Sequence, residues 1–188
     1  MNAERQMLND TVLEVMKTYP KDGTHGYNWA PGFDGVTYDL LYKGEVVAKS
    51  EAQKRTYCCG LTFEVYLSAC ERWAKLQGKD SYTLGNLEPW GVKKMKSDWF
   101  VATGKRGGAL DALVSRGLGI TVLPEEAQAG DFLQLWRPNG SGHSVILLEL
   151  TADKIRYWST QPATKGIGER SEKRYSELYI ARAFVPTI

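Results

Sequence analysis

An adjacent cysteine pair, Cys58-Cys59, and one histidine, His143, are the residues of this chain best suited to covalent chemistry. After the pair, Leu61, Val65, Ala69 and Trp73 recur every four positions, with Leu76 further on and Gly78 beyond it. That spacing puts the cysteines at or near the first turn of an amphipathic helix. Unpaired backbone amides and the positive end of the helix dipole stabilise a thiolate there. The thiolate is the nucleophilic form, and a neighbouring imidazolium stabilises it further. The base then has to come from a separate rigid element held against the helix start. His143 meets this requirement: it follows Ser141-Gly142 and precedes Val145-Ile146-Leu147-Leu148, an apolar run that buries its strand. The only other histidine, His25, sits in a glycine-rich loop with no obvious chemical partner and reads as structural or peripheral. Core packing is the competing reading for each cysteine. The order of a helix-start cysteine, a Gly-Asp strand and a Gly-His strand favours chemistry.

The elements around these residues read as follows. Met7, Leu8, Thr11, Val12, Val15 and Met16 have helical spacing within residues 4–18, which Pro20 and Gly23 end. Residues 22–35 mix glycine and proline with Tyr27, Trp29 and Phe33, an ordered loop. Residues 36–48 look extended, with a turn at Lys43-Gly44. Residues 79–107 are rich in Gly, Lys and Trp and carry no clear period. Residues 108–116 suggest a short helix ended by Gly117. Strands are expected at 131–136, 143–150 and 154–159, joined by Arg137-Pro138-Asn139-Gly140-Ser141-Gly142 and Thr151-Ala152-Asp153, with a last strand at 180–185. A helix-rich half precedes an antiparallel half, so the fold class is α+β.

Composition bounds the function. The chain has 188 residues, 43% of them hydrophobic, which suits one domain that needs neither disulfide nor metal to fold. A formal charge of +2 is too weak to make nucleic acid or an anionic membrane the main partner. No apolar run approaches a membrane span. The three cysteines form no C-x-x-C pair, and an odd count leaves at least one free thiol. No metal site and no cofactor is expected. Met1-Asn2-Ala3-Glu4-Arg5 does not begin a signal peptide, which leaves two readings open, a cytoplasmic protein or a mature form cut from a longer precursor.

Tyr57-Cys58-Cys59-Gly60-Leu61-Thr62-Phe63 resembles the Asp-Cys-Ser-Gly-Phe/Leu segment of the NlpC-type cysteine peptidases, a papain-like family. Ala129-Gly130-Asp131-Phe132 resembles their Gly-Asp-hydrophobic strand, and Gly142-His143-Ser144-Val145-Ile146 their Gly-His-Val-Gly-Ile strand. The resemblance covers roughly residues 25–185 of one catalytic domain spanning 1–188. It implies a papain-like fold with N-terminal helices packed on a central antiparallel sheet. It also implies that Cys58 is the nucleophile, His143 the general base and then acid, and Gln161, at the end of the last strand pair, the group that orients the imidazole. Tyr27-Asn28-Trp29 resembles the family's Tyr-x-Trp-Gly-Gly segment, which makes Tyr27 a candidate near the oxyanion and Trp29 a substrate contact. Cys59 would lie beside the substrate as well.

The chain departs from the family in having Tyr57 and Cys59 where Asp and Ser are usual. Residues 36–55 and part of 79–128 are implied insertions, of a kind that shapes substrate grooves. Gln53 stands six residues before Cys59, the spacing of an oxyanion glutamine in papain-like enzymes, which keeps Cys59 in contention. Cys58 is favoured because it aligns through Gly60. Successive helical residues point about 100° apart, so only one of the two faces His143. The implied activity is amide hydrolysis through a thioester, on a peptide or peptidoglycan stem-peptide substrate outside the cytoplasm. Trp29, Phe33, Trp90, Trp99 and Trp136 are candidates to line its groove, with core packing the alternative for most. A non-catalytic binding module and a thiol acyltransferase are the alternative functions.

Overall fold

The computed structural model describes residues 6–188. The Met1–Arg5 stretch, including the expected helix start near residue 4, lies outside them. In chain order the helices are α1 (Asn9–Met16), α2 (Cys58–Leu76), α3 (Pro89–Trp99) and α4 (Ala109–Val114). The strands are β1 (Leu40–Tyr42), β2 (Glu45–Ala48), β3 (Gly119–Thr121), β4 (Phe132–Trp136), β5 (Gly142–Leu150), β6 (Lys154–Gln161), β7 (Gly166–Lys173) and β8 (Glu177–Ala183).

Helix α2 is the axis of the molecule. Every residue from Cys59 to Leu67 is buried, so its first half is enclosed on all sides. Tyr57 is extended (φ −136°, ψ 162°) and turns directly into the helix at Cys58, with no side chain capping the first-turn amides. Gly60 explains itself by close packing: a Cβ there would lie 2.0 Å from the Asp34 carbonyl oxygen. The loop before β1 therefore runs against the first turn of α2. Glu64, one turn further on, ties that loop down. Its carboxyl group accepts from the Thr37 amide and hydroxyl (both 2.6 Å) and from the Tyr19 hydroxyl (2.7 Å). Burial pushes the Glu64 carboxyl above its usual range in spite of these donors.

Strands β3 to β8 form one antiparallel sheet in the order β3-β8-β4-β5-β6-β7, and β1 and β2 form a separate hairpin. The architecture is α+β, as the periodicities predict. Both faces of the sheet are apolar. Phe132, Ile146, Trp158 and Ala181 pack toward the helices, while Leu133, Val145, Leu147 and Tyr157 build a second cluster on the opposite side. The alternation along each strand produces this two-sided division.

Asp131, just before β4, is fully buried and fully partnered. It accepts from Arg182 Nε and Nη2 (2.8 Å each), Asn9 Nδ2 (2.9 Å) and the Gln128 amide (2.9 Å). The bidentate pair locks β8 to β4, and Asn9 brings α1 onto the same point. At the other end of the sheet, Glu172 of β7 receives Arg137 in a bidentate pair, along with the Tyr157 and Tyr175 hydroxyls. Burial alone would raise the Glu172 carboxyl, but these donors outweigh it and hold it at about 2.

Several elements differ from the expectation. Helix α1, expected over residues 4–18, runs only from Asn9 to Met16, and Met7 bridges to Phe184 instead. Helix α3 occupies part of the unassigned 79–107 segment. Beyond Pro89 at its start, its buried apolar residues are Val92, Met95 and Trp99, with Asp98 buried beside them and lysines and Gly91 between. Strand β7 carries Glu169, Arg170, Glu172 and Lys173, a polarity suited to a sheet edge but invisible to an apolar search. Strand β3 is only three residues long. The last strand, expected at 180–185, runs from Glu177 to Ala183. Among the described residues no helix is long and apolar enough to cross a membrane.

Candidate active site

The backbone delivers Cys58 and His143 to one cleft of about 410 Å³. Cys58 arrives as the first residue of α2. Just upstream, Thr56 is fixed on two sides. Its backbone exchanges hydrogen bonds with the loop strand at Gly26 (2.8 Å) and Asn28 (2.9 Å), and its hydroxyl donates to Thr160 Oγ1 of β6 (2.8 Å). Those bonds carry Tyr27 and Trp29 to the nucleophile, and both line the cleft. On the far side, Thr62 of α2 meets Ser144 of β5 (Oγ1 to Oγ, 2.8 Å), fixing the helix start against the strand that bears His143.

His143 is oriented from β6. The register that pairs Ile146 with Trp158 runs on to place Gln161 opposite His143. Gln161 Oε1 lies 2.9 Å from His143 Nε2. The amide orientation follows from its other contact. Gln161 Nε2 donates to Thr164 Oγ1 (2.8 Å), whose own proton is directed to the backbone carbonyls of Gly166 and Gln161. Gln161 therefore presents its oxygen to the ring, Nε2 of His143 carries the proton, and Nδ1 is the nitrogen left for another partner. Gln161 is buried and belongs to β6.

The two cysteines have opposite electrostatics. The Cys58 thiol is held well below its ordinary range. A hydrogen bond from the Cys59 thiol is the largest cause, followed, against the opposing effect of burial, by the charge and hydrogen bond of His143 and by the Ser144 amide. Cys59 is pushed well above its ordinary range, first by burial and then by the negative charge of Cys58. The two neighbours are driven in opposite directions, Cys58 toward the thiolate and Cys59 toward the thiol. Cys70, deep in the core, is pushed up by burial and is chemically inert. Gln53, the residue that kept Cys59 in contention, is exposed and lies outside the cleft lining.

Tyr27 lines the cleft without a side-chain hydrogen bond among the described residues, and burial raises its pKa. The aromatic candidates divide. Trp29 and Trp136 line the cleft, with Arg106 stacked 3.9 Å over Trp136. Trp99 is core, packed against Phe63 and Phe132. Phe33 packs edge-on against Tyr57, and Trp90 stands outside the cleft beneath Lys94. His25 Nδ1 donates to the Lys54 carbonyl (2.9 Å), a structural contact.

The sequence reading missed Phe100, Val101 and Gln134, all of which line the cleft. Phe100 and Val101 follow α3, in the segment without a clear period. Val101 has φ of 60°, a left-handed conformation that strains a β-branched residue. Gln134 is the lone polar residue within Phe132-Leu133-Gln134-Leu135-Trp136, and that interruption is its only sequence signal. A second groove, of about 530 Å³ around Tyr19, Tyr38 and Leu76, holds no nucleophile–base pair. Among the described residues no group of three or more His, Cys, Asp or Glu is arranged to hold a metal ion. No family model, curated protein or solved structure matches this chain.

Proposed function

We propose that this protein is a cysteine peptidase or amidase of papain-like, NlpC-type character. In this reading Cys58 is the nucleophile, His143 the acid–base group and Gln161 the residue that orients the ring. The observation that carries the reading is the alignment of three groups from three separate elements: a thiol stabilised as thiolate at a helix start, an imidazole beside it, and an amide oxygen fixing the far nitrogen of that imidazole. Core packing alone does not require such an arrangement.

The steps follow from these positions. The Cys58 thiolate attacks the amide carbonyl carbon, and the electron pair of the C=O bond moves onto oxygen. In this reading the Cys58 backbone N–H, at the uncapped helix start, and the Tyr27 hydroxyl receive that oxyanion. The proton on His143 Nδ1 passes to the departing amine as the C–N bond breaks, leaving a thioester on Cys58. Water, deprotonated by Nδ1, then attacks the thioester; the C–S bond breaks with its electron pair on sulfur, which releases the acid and restores the thiolate beside a protonated imidazole. Gln161 holds the tautomer throughout. No metal or organic cofactor takes part in these steps. Aromatic walls at Trp29 and Trp136 suit a peptide, and a peptidoglycan stem peptide is the substrate class we favour.

The test is incubation of the full chain with purified peptidoglycan and with isolated stem peptides, followed by mass spectrometry of the fragments. Release of new amine and carboxyl termini by the wild type, abolished in Cys58→Ala and retained in Cys59→Ala, is the expected result. An absence of product, together with unreactive cysteines toward iodoacetamide, would overturn the reading.

A further inference from the structure

The hydrogen bonds that orient His143 do not stop at Gln161. They continue into the short turn Pro162–Thr164 between β6 and β7. His143 Nε2 lies 2.9 Å from Gln161 Oε1, and Gln161 Nε2 donates to Thr164 Oγ1 (2.8 Å). The Thr164 hydroxyl in turn donates to the backbone carbonyls of Gly166 and Gln161. Gln161 and Thr164 are both ambivalent as partners. A carboxamide offers an oxygen and an NH2 of nearly the same shape, and a hydroxyl both donates and accepts. A backbone carbonyl only accepts. The direction of the whole chain of bonds is therefore decided at its far end, where Thr164 meets the backbone.

That end is held firmly. Gly166 pairs with Gln161 across the β6–β7 ladder, which closes the turn. Its φ is 123°, and a Cβ there would lie 2.2 Å from the His25 carbonyl oxygen. The close approach pins the accepting backbone against the loop that leads to Tyr27. On its other side, the Thr164 methyl packs over Gly168, where a Cβ would lie 3.1 Å from it. Thr164→Val keeps that methyl and removes only the hydroxyl, so the packing and the hydrogen bonds of this residue can be separated.

Without the hydroxyl, the Gln161 NH2 loses its acceptor and the amide is free to reverse. A reversed amide turns its NH2 toward His143 Nε2, which then has to accept. That suits only a ring protonated at Nδ1 alone. It opposes the imidazolium, which carries a proton on both nitrogens. The imidazolium is the form that stabilises a neighbouring thiolate. We propose that Thr164 is a positioning residue, which acts through Gln161 to keep an amide oxygen on His143 Nε2 and so to hold the imidazolium beside Cys58. This rests on the reading of Cys58 and His143 as a thiolate–imidazolium pair.

The test follows alkylation of the full chain by iodoacetamide against pH, with the label localised to Cys58 by tandem mass spectrometry. The thiolate forms a C–S bond and displaces iodide. On the acid limb of the profile, Thr164→Val should react about fivefold more slowly than the wild type at the same pH, the worth of one hydrogen bond. The two rates should converge at alkaline pH, where the thiol is ionised in both. Thr164→Ser, which keeps the hydroxyl, should restore most of the lost rate. A Thr164→Val profile that superimposes on the wild type's overturns the proposal. So does a Thr164→Ser profile displaced as far as that of Thr164→Val, which would mark a role in turn packing alone. Should Thr164→Val fail to fold, nitrogen NMR of the wild-type His143 ring decides. With the imidazole neutral its proton should be on Nε2, and a proton on Nδ1 overturns the proposal. Failure of iodoacetamide to label Cys58 in the wild type would instead remove the thiolate reading beneath it.

Discussion

Two buried polar clusters stand within one strand of each other and are built on opposite principles. Around Asp131 every bonding position is filled: two bonds come from Arg182, one from Asn9 and one from a backbone amide. Around Cys58 positions are left unfilled: the first-turn amides have no side-chain cap, and Tyr27 in the cleft wall has no side-chain hydrogen bond among the described residues. Filled polar groups hold elements together and have nothing left for a ligand. Open ones in a concave, walled space are of use only when something else enters it. The Gly-Asp strand and the Gly-His strand were both singled out by their residues, yet the first is an anchor and the second holds the proposed acid–base group.

The contrast can be broken at either cluster. The largest effect is expected at Asp131. Asp131→Asn leaves the Arg182 guanidinium buried without its charge partner and should cost about 3 kcal/mol of stability by urea unfolding, with Cys58 alkylation unchanged in the fraction that remains folded. An unfolding midpoint equal to that of the wild type would show that the anchor is dispensable. At the cleft, His143→Ala removes the charge and hydrogen bond that help to keep Cys58 ionised. Because His143 is one of the groups that hold the Cys58 thiol below its ordinary range, the variant's alkylation rate should begin to fall at a higher pH than the wild type's, and the two profiles should separate as pH falls. Parallel pH profiles would mean that His143 does not act on the sulfur.

Gln161→Ala sharpens the comparison, since it removes a group that bonds on both sides yet serves the open cluster. Turnover should fall about tenfold with KM little changed, because the ring loses its orientation and not its proton. Gln161→Asn, too short to span the same gap, should not restore it. The smallest effect belongs to Val101. Val101→Gly relieves a left-handed β-branched residue and should raise stability by about 1 kcal/mol. The same change removes a wall of the cleft, so discrimination among substrates should weaken by a fewfold. A destabilised Val101→Gly chain would show that the valine is held for packing.

Much of this arrangement was legible in the residues. The four-residue recurrence after Cys58 located α2 and its first turn. Turn residues bracketed β4, β5 and β6, and the apolar run after His143 indicated a buried strand. Gln161 required more, because its role depends on a register across two strands and a supporting contact from Thr164. What escaped did so for physical reasons. Helix α3 buries a thin stripe within a lysine-rich surface, and β7 is an edge whose charges conceal its period. Gln134 looks like a blemish in an apolar strand until Gly108 and Gly142, distant in sequence, close around it. The meaning of Asp131 lies in Arg182, which no local pattern joins to it.

The order of strands in the sheet has a consequence for how the cleft comes into being. Strand β4, which carries Gln134 and Trp136, is flanked by β5 on one side and β8 on the other, although β8 follows it in the chain by four strands. During synthesis β4 and β5 can pair as a hairpin while β4 still has a bare edge. That edge is covered, and Arg182 reaches Asp131, only once residues 177–183 have emerged. Such late, long-range closure is slow compared with hairpin formation. The nucleophile and its base can meet early, but the binding wall beside them is secured last. Under the proposed function, the thiol and its base would come together before the cleft beside them is complete.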